Sequence, residues 1–258
     1  MKITDANYFS TKANKEYMSA SQYKSFCKCE AMAMAEIKGK WKRPETKALT
    51  LGKFVDAYFT DDFEKFCGEN QSKIYKKNGE MYAEFEQAMK AIKAVEAQPQ
   101  MMKYLRGGHQ EIMTGEINGV PFKIKIDSLK KKEIVDLKYM ADFEDKYSES
   151  LGYRVPWYEA WGYDIQGAIY QEIVRQNTGK KLPFILDAVS KESVPDLTLI
   201  KLNQNLLDYQ LEEVYENAPR FQAIKQGIIK PTRCEHCDYC KSTRKVKLIE
   251  TEFDTDLD

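Results

Sequence analysis

The sequence predicts an α/β layer fold, one domain with a mixed central β-sheet and helices on its faces. Three observations carry this. Apolar residues alternate along two short segments, Val120 to Asp127 and Ile134 to Lys138, separated by the charged turn Lys130-Lys131-Lys132-Glu133. Asn118-Gly119, a strong hairpin signal, leads straight into the first of these segments. Helical spacing of apolar residues recurs on both sides, so the chain reads as helices, hairpin, strand, helix, strand, strand, helix.

After a polar lead, Ser19 or Ser21 can cap a helix that carries Phe26, Met34 and Ile37 and stops at Gly39. Pro44 suits the first turn of a second helix with Leu49, Leu51, Phe54, Val55 and Tyr58. Asp56 lies within it and by default is an exposed helical acid. A third helix spans about Glu80 to Ala97, after the turn Lys77-Asn78-Gly79 and before Pro99. A strand from Gln110 to Ile117 then pairs, through Asn118-Gly119, with the strand that ends at Asp127. Trp157 to Gln176 reads as a helix that sets Gln166 and Tyr170 on one face, four positions apart. Strands at about Phe184 to Ser190 and Leu197 to Lys201 and a helix from about Asn203 to Gln226 complete the pattern. No internal repeat or low-complexity linker divides residues 1–258, so a single domain is expected, with a cysteine-rich segment at about 233–241 and an acidic tail at 250–258 that should fray.

Composition removes several function classes. The 40 basic and 40 acidic residues cancel, which argues against a histone-like binder and leaves any nucleic-acid contact to a local patch. No apolar run approaches the ~20 residues of a membrane span, and the N-terminus lacks the apolar core of a signal peptide, so a cytoplasmic protein is expected. There, six cysteines read as reduced thiols or metal ligands rather than a disulfide framework.

Two places carry chemistry. On the first strand Val120, Phe122, Ile124 and Ile126 share one face and Lys123, Lys125 and Asp127 the other; on the second, Ile134, Asp136 and Lys138 lie opposite Val135 and Leu137. A half-buried strand has little reason to hold a carboxylate and an ammonium side by side unless they meet a metal, a substrate or each other. A partly exposed ion pair is the plain alternative. Near the C-terminus, Cys234, Cys237 and Cys240 follow a C-x-x-C-x-x-C spacing, one short of the usual four ligands of zinc or an iron–sulfur cluster. His236 or a distant cysteine would have to supply the fourth; otherwise these are free thiols in a surface turn. Cys27 and Cys29 diverge by about 200° on a helix, so at most one of them is a ligand.

These residues resemble the PD-(D/E)XK nuclease superfamily, in which an acid on one strand and D/E-x-K on the next bind the metal. Asp127 and Asp136-Leu137-Lys138 match that signature. Gly52-Lys53-Phe54-Val55-Asp56 is similar to an upstream G-x-x-x-H helix motif, and Gln166-Gly167-Ala168-Ile169-Tyr170 to a downstream Q-x-x-x-Y. With Ser19-Ala20-Ser21, the order is that of the RecB-type branch, and a compact chain looks most like the phage and prophage RecE-like exonucleases. Asp56 stands where that family more often has histidine, and no proline precedes Asp127.

The resemblance implies a restriction-endonuclease-like core and a metal-dependent deoxyribonuclease. Mg²⁺, with Mn²⁺ as the alternative ion, would sit on Asp127, Asp136, the Leu137 carbonyl and Asp56. Lys138 would orient or deprotonate the attacking water, its pKa lowered by metal charge and burial. Gln166 would steady substrate or Lys138, Tyr170 would pack or contact a phosphate, and Glu111 is a lesser outer carboxylate. The RecE-like relatives imply 5′-to-3′ digestion from duplex ends to expose single strands for phage-type recombination, a homo-oligomeric ring around DNA, and a single-strand annealing partner of the RecT type. Two other readings stay open. One is an iron–sulfur nuclease of the CRISPR-associated and AddB kind, with Cys29 joining Cys234, Cys237 and Cys240. The other is a non-catalytic DNA-binding adaptor with a zinc knuckle at Cys234 to Cys240.

Overall fold

The central sheet runs in the order β1 (Gly108–Ile117), β2 (Val120–Leu129), β3 (Ile134–Met140), β6 (Phe184–Ser190), β7 (Leu197–Lys201), and β4 (Lys146–Ser148) pairs with β5 (Tyr153–Val155) as a separate hairpin. A computed structural model describes residues 1–60, 62–148, 151–246, 248 and 250; nearly all of the acidic tail expected at 250–258 lies outside the described residues. The helices are α1 (Thr11–Glu16), α2 (Ala20–Lys28), α3 (Glu30–Ile37), α4 (Lys47–Phe59), α5 (Phe63–Glu69), α6 (Gln71–Ile74), α7 (Ala83–Glu96), α8 (Pro99–Leu105), α9 (Trp157–Ala160), α10 (Tyr163–Thr178), α11 (Gln204–Lys225) and α12 (Asp238–Ser242). No helix among the described residues is long and apolar enough to cross a membrane.

The sheet is mixed, as the sequence predicts. β1, β2 and β3 are antiparallel in succession, β3 and β6 are parallel, and β7 returns antiparallel to β6. A parallel step needs a crossover, and α10 supplies it. One face of the sheet packs Phe122, Ile124, Ile134 and Leu186 against α2, α3, α10 and α11. The other packs Val135, Leu137, Ile185 and Val189 against α4, α7 and α8. Successive residues of β3 therefore enter opposite cores, which is the period-two pattern read from the sequence.

Several expected elements differ. The single helix expected up to Ile37 is two, because Cys29 turns extended (φ −167°, ψ 110°) and serves both as the C-cap of α2 and as the N-cap of α3. The helix expected at Trp157 to Gln176 also breaks, at Gly162, whose φ of 65° suits glycine. The second helix begins at Lys47, where the Thr46 hydroxyl accepts the Leu49 N–H, and Pro44 stays outside it. The third helix starts at Ala83 rather than near Glu80. The lead before Ser19 is not merely polar: Ile3, Tyr8 and Ala13 form a small buried cluster. Met18 accepts the Lys123 N–H and donates to the Pro121 carbonyl, so it pairs the part of β2 that β3 leaves bare.

The hairpin turn also ties the two layers together. Pro219 inside α11 cannot bond back to the Tyr215 carbonyl, and the Asn118 side chain donates to that oxygen at 2.9 Å. Asn118 and Gly119 take φ of 48° and 71°, the left-handed pair that a two-residue hairpin turn requires.

Asp187, at the centre of β6, is fully buried with no hydrogen-bond partner on either carboxylate oxygen. Burial pushes its carboxyl from 3.8 up to about 7. With the folded value above the unfolded one, stability is greatest below about pH 4, declines as pH rises to about 7 and is level beyond. Asp187→Asn, which stays neutral, is expected to be more stable than wild type by about 2–4 kcal/mol at pH 8, with the gain gone at pH 4. Urea unfolding at the two pH values measures this, and a gain that does not change with pH contradicts it.

Candidate active site

The geometry begins where β2 and β3 part. Their ladder holds only at Ser128↔Val135 and Leu129↔Ile134. Beyond it the Leu137 N–H has no carbonyl of β2 to meet and donates instead to Asp127 Oδ2 at 3.0 Å. A carboxylate thus stands in for a backbone acceptor. It locks Asp127 at the mouth of a crevice at the sheet's divergent end, the kind of place where α/β folds bind ligands.

Asp136 and Lys138 point into the same crevice. Asp136 is 2% exposed, and its Oδ2 lies 2.5 Å from Lys138 Nζ. Gln166, reaching down from α10, donates to Asp136 Oδ1 at 2.8 Å. It therefore steadies Asp136 rather than Lys138. Lys138 Nζ also sits 5.1 Å from the centre of the Tyr163 ring, a cation–π contact. Tyr170 donates its hydroxyl to the Lys125 carbonyl at 2.9 Å and sets its ring edge against Phe184, so its hydroxyl is spent on bracing β2. Asp56 comes from α4, in the opposite layer, and faces the cleft rather than open solvent. Glu111 is exposed on β1 opposite Ile126, not Asp127.

Three carboxylates crowd this crevice, and their charges oppose one another. Burial, then repulsion by Asp136 and Asp56, pushes the Asp127 carboxyl well up. Burial also raises Asp56, helped by Asp136 and countered by Lys138. For Lys138 burial works against the charge, but Asp136 and Asp127 override it and raise its pKa. The sequence expectation of a lowered value rests on a bound ion's charge together with burial; without that charge the two carboxylates outweigh burial.

The donor set fits a hard divalent cation. All three side chains offer carboxylate oxygens, and among the described residues the buried Asp136 Oδ2 meets no donor but the Lys138 ammonium. Among the described residues these carboxylates do not gather to within 4.8 Å of one another, as four cysteine sulfurs do elsewhere. That is compatible with Mg²⁺, which keeps several waters and takes few carboxylates directly. Asp127, Asp136 and the Leu137 carbonyl are the residues that would hold it, with Asp56 reaching it directly or through water.

A cleft of about 390 Å³ opens on Asp56 and Asp127 and is also lined by Lys53, Lys65, Gln110 and Lys125. A second, of about 470 Å³, shares Phe9, Ser21 and Tyr170 with it and continues past Ser19, Lys42 and Arg43. Sequence reasoning missed Gln110, Tyr163 and Lys24. Tyr163 was within reach, because it falls three before Gln166 and seven before Tyr170 on one helical stripe. Lys24 carried no local signal. It lies on α2, and burial first, then the charge of Lys138, lower its pKa to about 8. Gln110 takes φ 55° where the β1–β2 pairing skips from His109↔Ser128 to Glu111↔Ile126, which no pattern foretells.

Elsewhere, Cys29, Cys234, Cys237 and Cys240 place their sulfurs within 4.8 Å of one another. His236 is exposed and stands outside the set, and Cys27 is exposed.

A family described as a PDDEXK-like domain of unknown function (DUF3799) matches residues 19–243. The chain belongs to this family. The mixed five-stranded sheet flanked by helices is the restriction-endonuclease-like core of the PD-(D/E)XK nuclease superfamily. The chain is similar to a solved candidate exonuclease from Eubacterium rectale, with 42% identity and a TM-score of 0.92 over 97% of each chain. No curated protein matches it.

If Asp56 contributes to the ion's field, Asp56→Ala should raise the Mg²⁺ or Mn²⁺ concentration for half-saturation about tenfold while thermal unfolding changes little. Calorimetric titration of the ion reads this directly. Unchanged ion affinity would return Asp56 to a purely structural place on α4.

Proposed function

We propose that this chain is a divalent-metal-dependent deoxyribonuclease that hydrolyses phosphodiester bonds of duplex DNA. The observation that supports it most is the linked set Asp127–Leu137 N–H, Asp136–Lys138 and Asp136–Gln166 at the opening between β2 and β3. Hydrolysis needs a hydroxide near neutral pH and charge compensation at the phosphorus, and a bound divalent ion supplies both.

The chain's own residues do the rest. Asp127 is aimed by the Leu137 N–H and Asp136 by the Gln166 amide, so both carboxylates are fixed before substrate arrives. Lys138, in contact with Asp136, can orient the attacking water or donate to a phosphoryl oxygen as negative charge builds there. Taking up the water's proton would require it first to lose its own. Lys53, Lys65 and Lys125 line the cleft among Asp56, Asp62, Glu69 and Asp127, and these lysines can meet backbone phosphates once a divalent ion offsets the acids.

The finer reading is an end-dependent 5′-to-3′ exonuclease that leaves single strands for a RecT-type annealing partner in phage-type recombination. It is supported by the RecE-like order of the sequence motifs and by the likeness to a candidate exonuclease. The decisive assay incubates the chain with linear and with closed circular duplex plus Mg²⁺. Loss of the linear form alone supports end dependence; cutting of both would mean an endonuclease, and binding without cleavage an adaptor. Lys138→Ala should lower the cleavage rate by about 10²-fold or more while duplex binding stays within a few fold. Cleavage at near wild-type rate would move the reaction elsewhere.

A closed ring belongs to the same reading, since one active site on one copy cannot by itself hold a duplex through many cuts, whereas a ring encloses it. Sedimentation velocity at micromolar concentration with duplex should then show a discrete oligomer. A monomer under those conditions removes the ring.

A further inference from the structure

The geometry points to a single structural zinc ion held by Cys29, Cys234, Cys237 and Cys240, clipping the C-terminal segment onto the break between α2 and α3. The four sulfurs come from positions more than 200 residues apart, yet Cys29 Sγ lies 3.6 Å from Cys240 Sγ, Cys234 Sγ lies 4.0 Å from Cys240 Sγ, and all four are within 4.8 Å of one another.

Spacing decides what fits between them. A tetrahedral ion with zinc–sulfur bonds of about 2.3 Å sets its sulfurs about 3.8 Å apart, and the Cys29–Cys240 and Cys234–Cys240 pairs bracket that value. A disulfide would need about 2.05 Å. An iron–sulfur cluster interposes several metal and sulfide atoms between its thiolates and spreads them wider than one ion does. Four thiolate ligands leave no open position for water, as in structural rather than catalytic zinc sites.

The surroundings are built for thiolates. The Met32 N–H donates to Cys29 Sγ at 3.4 Å, Cys237 N–H to Cys234 Sγ at 3.3 Å, and Cys240 N–H to Cys237 Sγ at 3.4 Å. Cys240 is fully buried and Cys29 is 4% exposed. The break at Cys29 acquires a reason here, because an unbroken helix would not leave the Met32 N–H free to meet that sulfur. Around the sulfurs the segment is docked by other contacts: Thr232 N–H to Glu30 at 2.7 Å, Arg220 to Glu30 at 2.8 Å, and the Trp41 ring edge against Tyr239. The ion would sit at the centre of a seam that already exists, and closing so long a loop is where a metal clip constrains the unfolded chain most.

Elemental analysis and acid-labile sulfide assay of the full chain, purified under reducing, oxygen-free conditions from cells supplied with both metals, test this. One zinc per chain, no sulfide and no colour is the expected result. Iron, with or without sulfide, would overturn it, and so would a chain holding neither metal. Cys29→Ser should lose nine-tenths or more of the zinc, whereas Cys27→Ser should keep all of it. Should Cys29→Ser fail to fold, titrating native protein with a mercurial in the presence of a zinc-sensing dye gives the same answer. One zinc released as four thiols react supports the site; thiols reacting without zinc release sinks it.

Discussion

Everything at the crevice depends on one hydrogen bond, from the Leu137 N–H to the Asp127 carboxylate. β2 and β3 share only two ladder pairs before they part, and an unpaired strand N–H buried beside Leu137 would cost on the order of 1–3 kcal/mol. The Asp127 side chain meets that need. In doing so it is fixed facing Asp136 on the neighbouring strand. The same splay that makes the bond necessary also opens room for a substrate, so the architecture of the sheet and the placement of the acid are one feature.

The second consequence is electrostatic. Asp127, Asp136 and Asp56 arrive from two strands and a helix of the opposite layer, and the fold brings like charges together out of water. Lys138, in contact with Asp136 and over the Tyr163 ring, offsets part of this but not all of it. Crowded acids that push the Asp127 and Asp56 carboxyls up are poised to accept a cation, and binding one would relieve the repulsion that burial intensifies. Lys24, from α2 behind Lys138, adds a second amine whose own charge is weakened by burial and by Lys138.

Rigidity comes from contacts that bridge distant parts of the chain. Asn118 in the hairpin turn caps the carbonyl that Pro219 strands in α11, and Tyr170 on α10 braces the Lys125 carbonyl beside the candidate site. Glu30, at the start of α3, takes both Arg220 and the Thr232 N–H. The first two tie the sheet to the helices on one of its faces, and the third ties helices of that layer to each other.

The strands and their faces were legible in the sequence because side-chain alternation is a local property: Asp136 and Lys138 share a face whatever surrounds them, and β6 and β7 fall where the apolar runs begin and end. Asn118-Gly119 announced its hairpin for the same reason, since only the residues of the turn set its backbone angles. Helix breaks were not legible. Cys29 and Gly162 interrupt segments whose periodicity continues across them, and the Cys29 sulfur at that break meets others placed some two hundred residues later. Nor could sequence say that Gln166 would reach Asp136 rather than Lys138, that Asp56 would face the cleft instead of solvent, or that Asp127 as well as Asp136 would raise the Lys138 pKa. Local pattern determined which residue types lie on which face of which element. Distances and protonation belong to the tertiary structure alone, because they depend on how far β2 and β3 diverge and on which helices close over the gap.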